Sequence, residues 1–130
     1  MNYALLVLSS SATGHGARTA VRFAHSAIAR GHTIGRVFFL DDGVANGSQT
    51  AVFPQDEADR LQPWTELAEQ HDVELVLFIS SALKRGMLDA AEAERYEQPG
   101  PGAHPAFIVA GLGQLIDAAA SADRLLTFGG

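Results

Sequence analysis

The 130 residues are 47% apolar and 18% charged, with a formal net charge of −6 and no cysteine. That length suits one domain able to bury roughly two-thirds of its unfolded surface, and a mean hydropathy of +0.07 fits neither a disordered tail nor a membrane protein. Without cysteine, the chain has no disulfide, thiolate metal site, iron–sulfur cluster or cysteine nucleophile of its own.

Met1-Asn2-Tyr3 supplies no basic n-region, and the apolar stretch Ala4–Leu8 is too short for a secretory h-region. Tyr3–Ser9 is a short apolar run ending in small polar residues, which predicts a buried parallel strand. Ala17, Ala20, Val21, Ala24, Ala27 and Ile28 recur at helical spacing, and Gly31 stands where a C-terminal cap belongs. Val37–Leu40 follows as a second strand, and Asp41-Asp42-Gly43 turns the chain. Residues 43–55, with Gly43, Asn46, Gly47 and Pro54, read as a long polar loop.

Leu61, Trp64, Leu67 and Ala68 mark a second helix, which Pro63 either kinks or starts. Val73–Ile79 is nearly all apolar and is expected at the centre of the sheet, ended by Ser80-Ser81. Asp89–Tyr96 reads as a short acidic helix, and Glu97–Pro105, with three prolines, as a mobile loop. The stretch Phe107–Ile116 is weakly polar, but Gly111, Gly113 and Gln114 break it well short of a membrane span. A cytoplasmic protein, off the membrane, is therefore expected. Leu112, Leu115, Ile116, Ala119 and Ala120 form a last helical face, and Arg124–Phe128 a last strand.

No repeat or domain boundary interrupts residues 1–130, read as one domain. Strands alternating with helices predict a parallel sheet joined by right-handed crossovers, with helices on both faces: an α/β/α sandwich of flavodoxin-like layering. Ligands in such folds sit beyond the carboxyl ends of the strands. That directs attention to Ser9–Gly16, Asp41–Asn46, Phe78–Ser81 and the turn around Gly111.

Residues 1–40 hold Arg18, Arg22, Arg30 and Arg36 and no acid, whereas all fifteen carboxylates follow. With no Lys/Arg cluster to neutralise several phosphates, direct nucleic-acid binding is not expected. The arginines either line the wet face of a helix or dock an acidic protein surface. The acids Asp56, Glu57, Asp59, Glu66, Glu69, Asp72 and Glu74 read as a solvated face, and Asp41-Asp42 as an ordinary turn. His15, His25, His32, His71 and His104 show no metal-ligand spacing. His71 complements a helix C-terminus, and His15 and His104 lie near the ligand edge.

Ser9-Ser10-Ser11-Ala12-Thr13-Gly14-His15-Gly16 leads from a strand into a helix, as an anion-binding turn does. It lacks the Gly-Lys-Ser/Thr of a P-loop, and Thr19 stands where a dinucleotide fingerprint has its third glycine. It looks like the Ser/Thr-rich phosphate loop of flavodoxins, while a helix start capped by Thr13 explains it as well. Phe78-Ile79-Ser80-Ser81-Ala82-Leu83-Lys84-Arg85-Gly86 runs from a strand into two hydroxyls and two cations able to hold an anion. No base is identifiable beside Ser80 or Ser81 to make either a nucleophile.

Several stretches together resemble the DsrE/TusD family of sulfur-relay proteins, over essentially the whole chain. They are Phe23-Ala24 with Arg30-Gly31-His32; Val37-Phe38-Phe39-Leu40 with Gly43-Val44 and Asn46; Gln70-His71-x-Val73; Ala82-Leu83-Lys84-Arg85-Gly86; Ala110-Gly111-Leu112-Gly113; and Ala122-Asp123-Arg124. The resemblance implies a parallel α/β/α sandwich assembled into homo- or hetero-oligomers, trimers or hexamers, with related subunits. It also implies transfer of sulfur as a cysteine persulfide, toward tRNA 2-thiouridine or in sulfur oxidation. The family's sulfur-carrying cysteine falls at Phe78, whose ring cannot accept sulfur, and neither Ser80 nor Ser81 can form a persulfide.

Two functions follow from these readings. One is a non-catalytic relay subunit, with the Arg-rich first third and the acidic second helix as docking faces. The other is a small-ligand or anion-binding protein with a repurposed pocket. The pocket residues expected are Ser9, Ser10, Ser11, Asn46, Phe78, Ser80, Ser81, Lys84 and Arg85. No cofactor is expected. Flavin finds little support, since Trp64 suits a helix core and only Tyr96 is left to stack on its ring.

Overall fold

Alternation along the strands divides the apolar side chains between two faces of one sheet. Leu5, Val7, Val37, Phe39, Leu75, Leu77 and Phe107 pack on one side with Ala17, Ala20, Ala24, Trp64, Leu67 and Ala82. Ala4, Phe38 and Val76 pack on the other with Ala118. The computed structural model describes residues 1–12, 15–51 and 59–129, so expectations resting on Thr13, Gly14, Pro54, Asp56 and Glu57 lie outside the described residues. The elements run β1 Asn2–Val7, α1 Gly16–Ala29, β2 Thr33–Phe39, a 3₁₀ segment Asp41–Gly47, α2 Gln62–His71 and β3 Glu74–Phe78. They continue through α3 Ile79–Lys84, α4 Ala90–Arg95, β4 Phe107–Ala110, α5 Leu112–Ser121 and β5 Arg124–Phe128.

All four strand pairings are parallel, in the order β4-β3-β2-β1-β5. β3 lies inside the sheet, paired on both sides as expected of Val73–Ile79, while the middle place belongs to β2. From β1 to β4 the chain steps in one direction, and right-handed crossovers keep α1, α2 and α3 on the same face. Only the return from β4 to β5 runs the other way. It carries α5 alone across the opposite face.

Several boundaries differ from expectation for identifiable reasons. Asp41–Gly47 is a 3₁₀ helix rather than part of an open loop. Its Gly43 lies so close to the end of β1 that a Cβ would overlap the Val7 carbonyl oxygen, which restricts the position to glycine. Ser80 and Ser81 do not form a turn after the strand, because β3 passes directly into α3. Pro63 stands in the first turn of α2 and starts that helix without a kink. Asp89 caps α4, its carboxylate accepting the Glu92 N–H at 2.8 Å. The Pro-rich loop 97–105 is tied to the 3₁₀ segment's exit, since the Gln49 N–H donates to Gly102 at 2.9 Å and Ser48 pairs with Ala103.

On α5 the helical period agrees with the sequence and the phase differs. Ala118 is buried and Leu115 packs beside it, but Leu112 and Ile116 are 52% and 61% exposed, and Ala119 and Ala120 also face solvent. Among the described residues, no helix is long and apolar enough to cross a membrane.

Candidate functional site

The residues expected in one pocket occupy two places. The first is the carboxyl edge of β1 and β2. Ser9 is buried, and its Oγ accepts the Ala17 N–H at 3.0 Å, satisfying one of the free amides at the start of α1. The N-cap residue itself, His15, makes no side-chain cap. Gly16 fits only because it lacks a Cβ, which would lie 2.7 Å from both Ser9 Oγ and the Gly129 carbonyl oxygen. Asn46, 2% exposed, donates through Nδ2 to the carbonyls of Ser9 at 2.9 Å and Gly43 at 2.8 Å, locking the 3₁₀ segment to the exit of β1. Its Oδ1 is buried and has no hydrogen-bond partner among the described residues.

Beside Asn46 a cavity of about 560 Å³ opens between α1 and the start of α2. Ser10 and Ser11 line it, together with Arg18, Arg22 and His25 from one face of α1. Arg60, Pro63 and Trp64 close the opposite wall. Arg60 donates to the Ser11 carbonyl, and His25 Nε2 bonds the Pro63 carbonyl at 3.0 Å. Trp64 is fully buried and packs edge-on against Phe39 at 5.0 Å, the core role expected of it. Arg18, Arg22 and His25 were not singled out for this site at the sequence level. Their spacing of four and three residues was visible, but it reads equally well as a wet helix face.

The second place is the β3–α3 junction. Phe78 is half-buried at the N-cap of α3, with φ −67° and ψ 125°. Ser81 is buried, and its Oγ accepts the Asp41 N–H at 2.9 Å. Arg85 pairs with Asp42 at 3.2 Å and donates to the Ser81 carbonyl at 3.3 Å. Ser81 and Arg85 therefore bind α3 to the 3₁₀ segment, and the Arg85 charge already has a carboxylate beside it. Ser80 and Lys84 are exposed. None of these five residues lines the cavity beside Asn46.

The histidines remain scattered. His15 is exposed, His104 Nδ1 accepts the Ala106 N–H at 3.0 Å, and His25 meets His71 edge-on at 6.2 Å. No group of potential metal ligands occurs among the described residues. Tyr96 is not among the residues lining the cavity beside Asn46; with Leu83, Gly86, Leu88 and the Pro-rich loop it lines a second cavity of about 840 Å³.

A sequence profile of the DsrE/DsrF-like family matches residues 1–128. The chain is 49% identical over 114 residues to a sulfurtransferase TusD homolog of Pseudomonas aeruginosa, covering 88% of this chain and 87% of that one. It is 40% identical over 129 residues to an Allochromatium vinosum protein provisionally named sulfurtransferase DsrE, covering 99% of each. It is 38% identical over 128 residues to sulfurtransferase TusD of Serratia proteamaculans, covering 98% of this chain and 99% of the other. The crystal structure of the ychN protein from E. coli superposes with a TM-score of 0.77 at 18% identity, over 98% of this chain and 99% of that one. That last likeness concerns the fold alone.

Proposed function

The chain belongs to the DsrE/DsrF-like family, and we propose that it serves a sulfur relay as a subunit that carries no sulfur itself. The observation behind this reading is the side chain at the end of β3. The resemblance to relay proteins puts the sulfur-carrying cysteine at position 78, where this chain has phenylalanine, and the whole sequence lacks a thiol. A persulfide needs a sulfur nucleophile, and neither a phenyl ring nor a serine hydroxyl can take its place.

The fold around that position supports a retained architecture. β3 hands over directly to α3, and Ser81 and Arg85 fasten the junction to Asp41 and Asp42. On this reading the chain shapes a surface in an oligomer with related, cysteine-bearing subunits, in a pathway ending in tRNA thiolation or in sulfur oxidation. The exposed Leu112 and Ile116 of α5, with Ile108 of β4, give it an apolar surface to bury against them.

The test is transfer from a persulfidated donor, followed by intact mass of each chain in a complex isolated from the native host. The expected result is a gain of roughly 32 Da, one sulfur atom, on a co-isolated partner and none on this chain. A stable sulfur adduct on this chain overturns the reading, and so does isolation of the chain only as a homomer.

A further inference from the structure

We propose that the groove between α1 and the start of α2 binds a small phosphate monoester, its phosphate against Arg18 and Arg22 and a hydroxyl or amine donating to Asn46 Oδ1. The inference does not depend on the role in sulfur transfer, since it concerns a different place in the fold from Phe78.

The first observation is the state of Asn46. The residue is 2% exposed, yet Oδ1 has no partner among the described residues, an arrangement that native structures rarely leave uncompensated. Turning the amide over does not help. Nδ2 sits 2.9 and 2.8 Å from two backbone carbonyls, and a flipped Oδ1 would confront those two acceptors instead. The orientation is therefore fixed, and Asn46, which lines the cavity, has only an acceptor left to offer.

The second observation is the charge on the facing wall. Arg18 and Arg22 lie one helical turn apart, are exposed, and make no ion pair among the described residues. Two guanidinium forks in succession match a tetrahedral dianion better than a single carboxylate, since each can take a separate pair of oxygens. The acid at the rim, Asp59, is tied to the start of α2, where its Oδ1 accepts the N–H groups of Leu61 and Gln62 at 2.9 and 3.2 Å. The cavity of about 560 Å³ falls within the size range of small-molecule sites, and Val21 and Trp64 give it an apolar floor. An acceptor at one end and paired cations along a wall call for a ligand with a donor at one end and a dianion at the other.

Calorimetric titration of the full chain at low salt tests this with glycerol 3-phosphate and adenosine 5′-monophosphate as probes, spanning the sizes the cavity holds. Sodium sulfate serves as the control, a dianion of the same shape with no donor for Asn46. The expected result is saturable binding of at least one phosphate monoester, about tenfold tighter than sulfate. Arg18→Gln and Arg22→Gln should each weaken that binding about tenfold. Both arginines are exposed, so the variants should keep the wild-type melting temperature, which separates lost binding from lost folding. Absence of saturation with both monoesters overturns the proposal, as does equal affinity for sulfate or unchanged affinity in the arginine variants.

Discussion

Phe78 is held by backbone geometry rather than by burial. It ends β3 in extended conformation and caps α3, with its ring only half out of solvent. A smaller side chain there forfeits part of one ring's packing, about 2 kcal/mol, less than a fully buried phenylalanine would lose. A thiol at that N-cap would lie next to the unpaired amides of α3's first turn, which favour thiolate. The variant Phe78→Cys is therefore expected to fold, to titrate below the ordinary thiol range in an alkylation-rate profile, and to accept sulfur from a persulfidated donor. A thiol that titrates normally and stays unmodified would mean that more than the cysteine has been lost from the site. The loss at position 78 was legible in the sequence through the family resemblance. The orphaned oxygen of Asn46 was not, because it depends on where the carbonyls of Ser9 and Gly43 come to rest.

Among the elements, helical and strand periods carried most of the assignment, and errors arose where a local signal has two physical meanings. Two serines after an apolar run read as a turn, yet here they lie in the first turn of α3, where Ser81 also accepts the Asp41 amide. Glycine and asparagine after β2 read as open loop, but Gly43 is small enough to pass under the end of β1 and Asn46 ties the segment down. Thr33–Arg36 does not read as strand, because its alternation of polar residues and glycine hides the buried Ile34. The start of α1 is the instructive case. There Ser9 reaches an amide eight residues along, a partner that local spacing does not show. Replacing Ser9 with alanine removes that acceptor and leaves the buried Ala17 N–H without its partner. A loss of about 1 kcal/mol in urea unfolding is expected, with the slope unchanged. An unaltered midpoint would show that α1 draws its capping from elsewhere.

At the scale of the whole molecule, strand–helix alternation predicted parallel pairing but could not fix the order β4-β3-β2-β1-β5. That order has an energetic consequence. Three successive crossovers load one face of the sheet with helices, and the single return leaves five strands beneath α5. The second core is correspondingly small, with Ala4, Phe38, Val76 and Ala118 its fully buried members. Leu112 and Ile116 remain exposed on α5, as do Ile108 and Leu125 on the outer strands at 41% and 40%. Burying such side chains against a partner is favourable by roughly 25 cal/mol per Å² of apolar surface, less the cost of association. If this face is the assembly surface, an aspartate at Ile116 introduces a charge into the contact while costing the isolated chain little, because the position is already solvated. Native mass spectrometry of wild-type protein isolated from the native host should then give an oligomer with its partner chains, and Ile116→Asp the free chain with an intact circular dichroism spectrum. A wild-type monomer at tens of micromolar, or an oligomer that Ile116→Asp leaves undisturbed, would place the assembly contacts on the opposite, helix-covered face or on a partner of different kind.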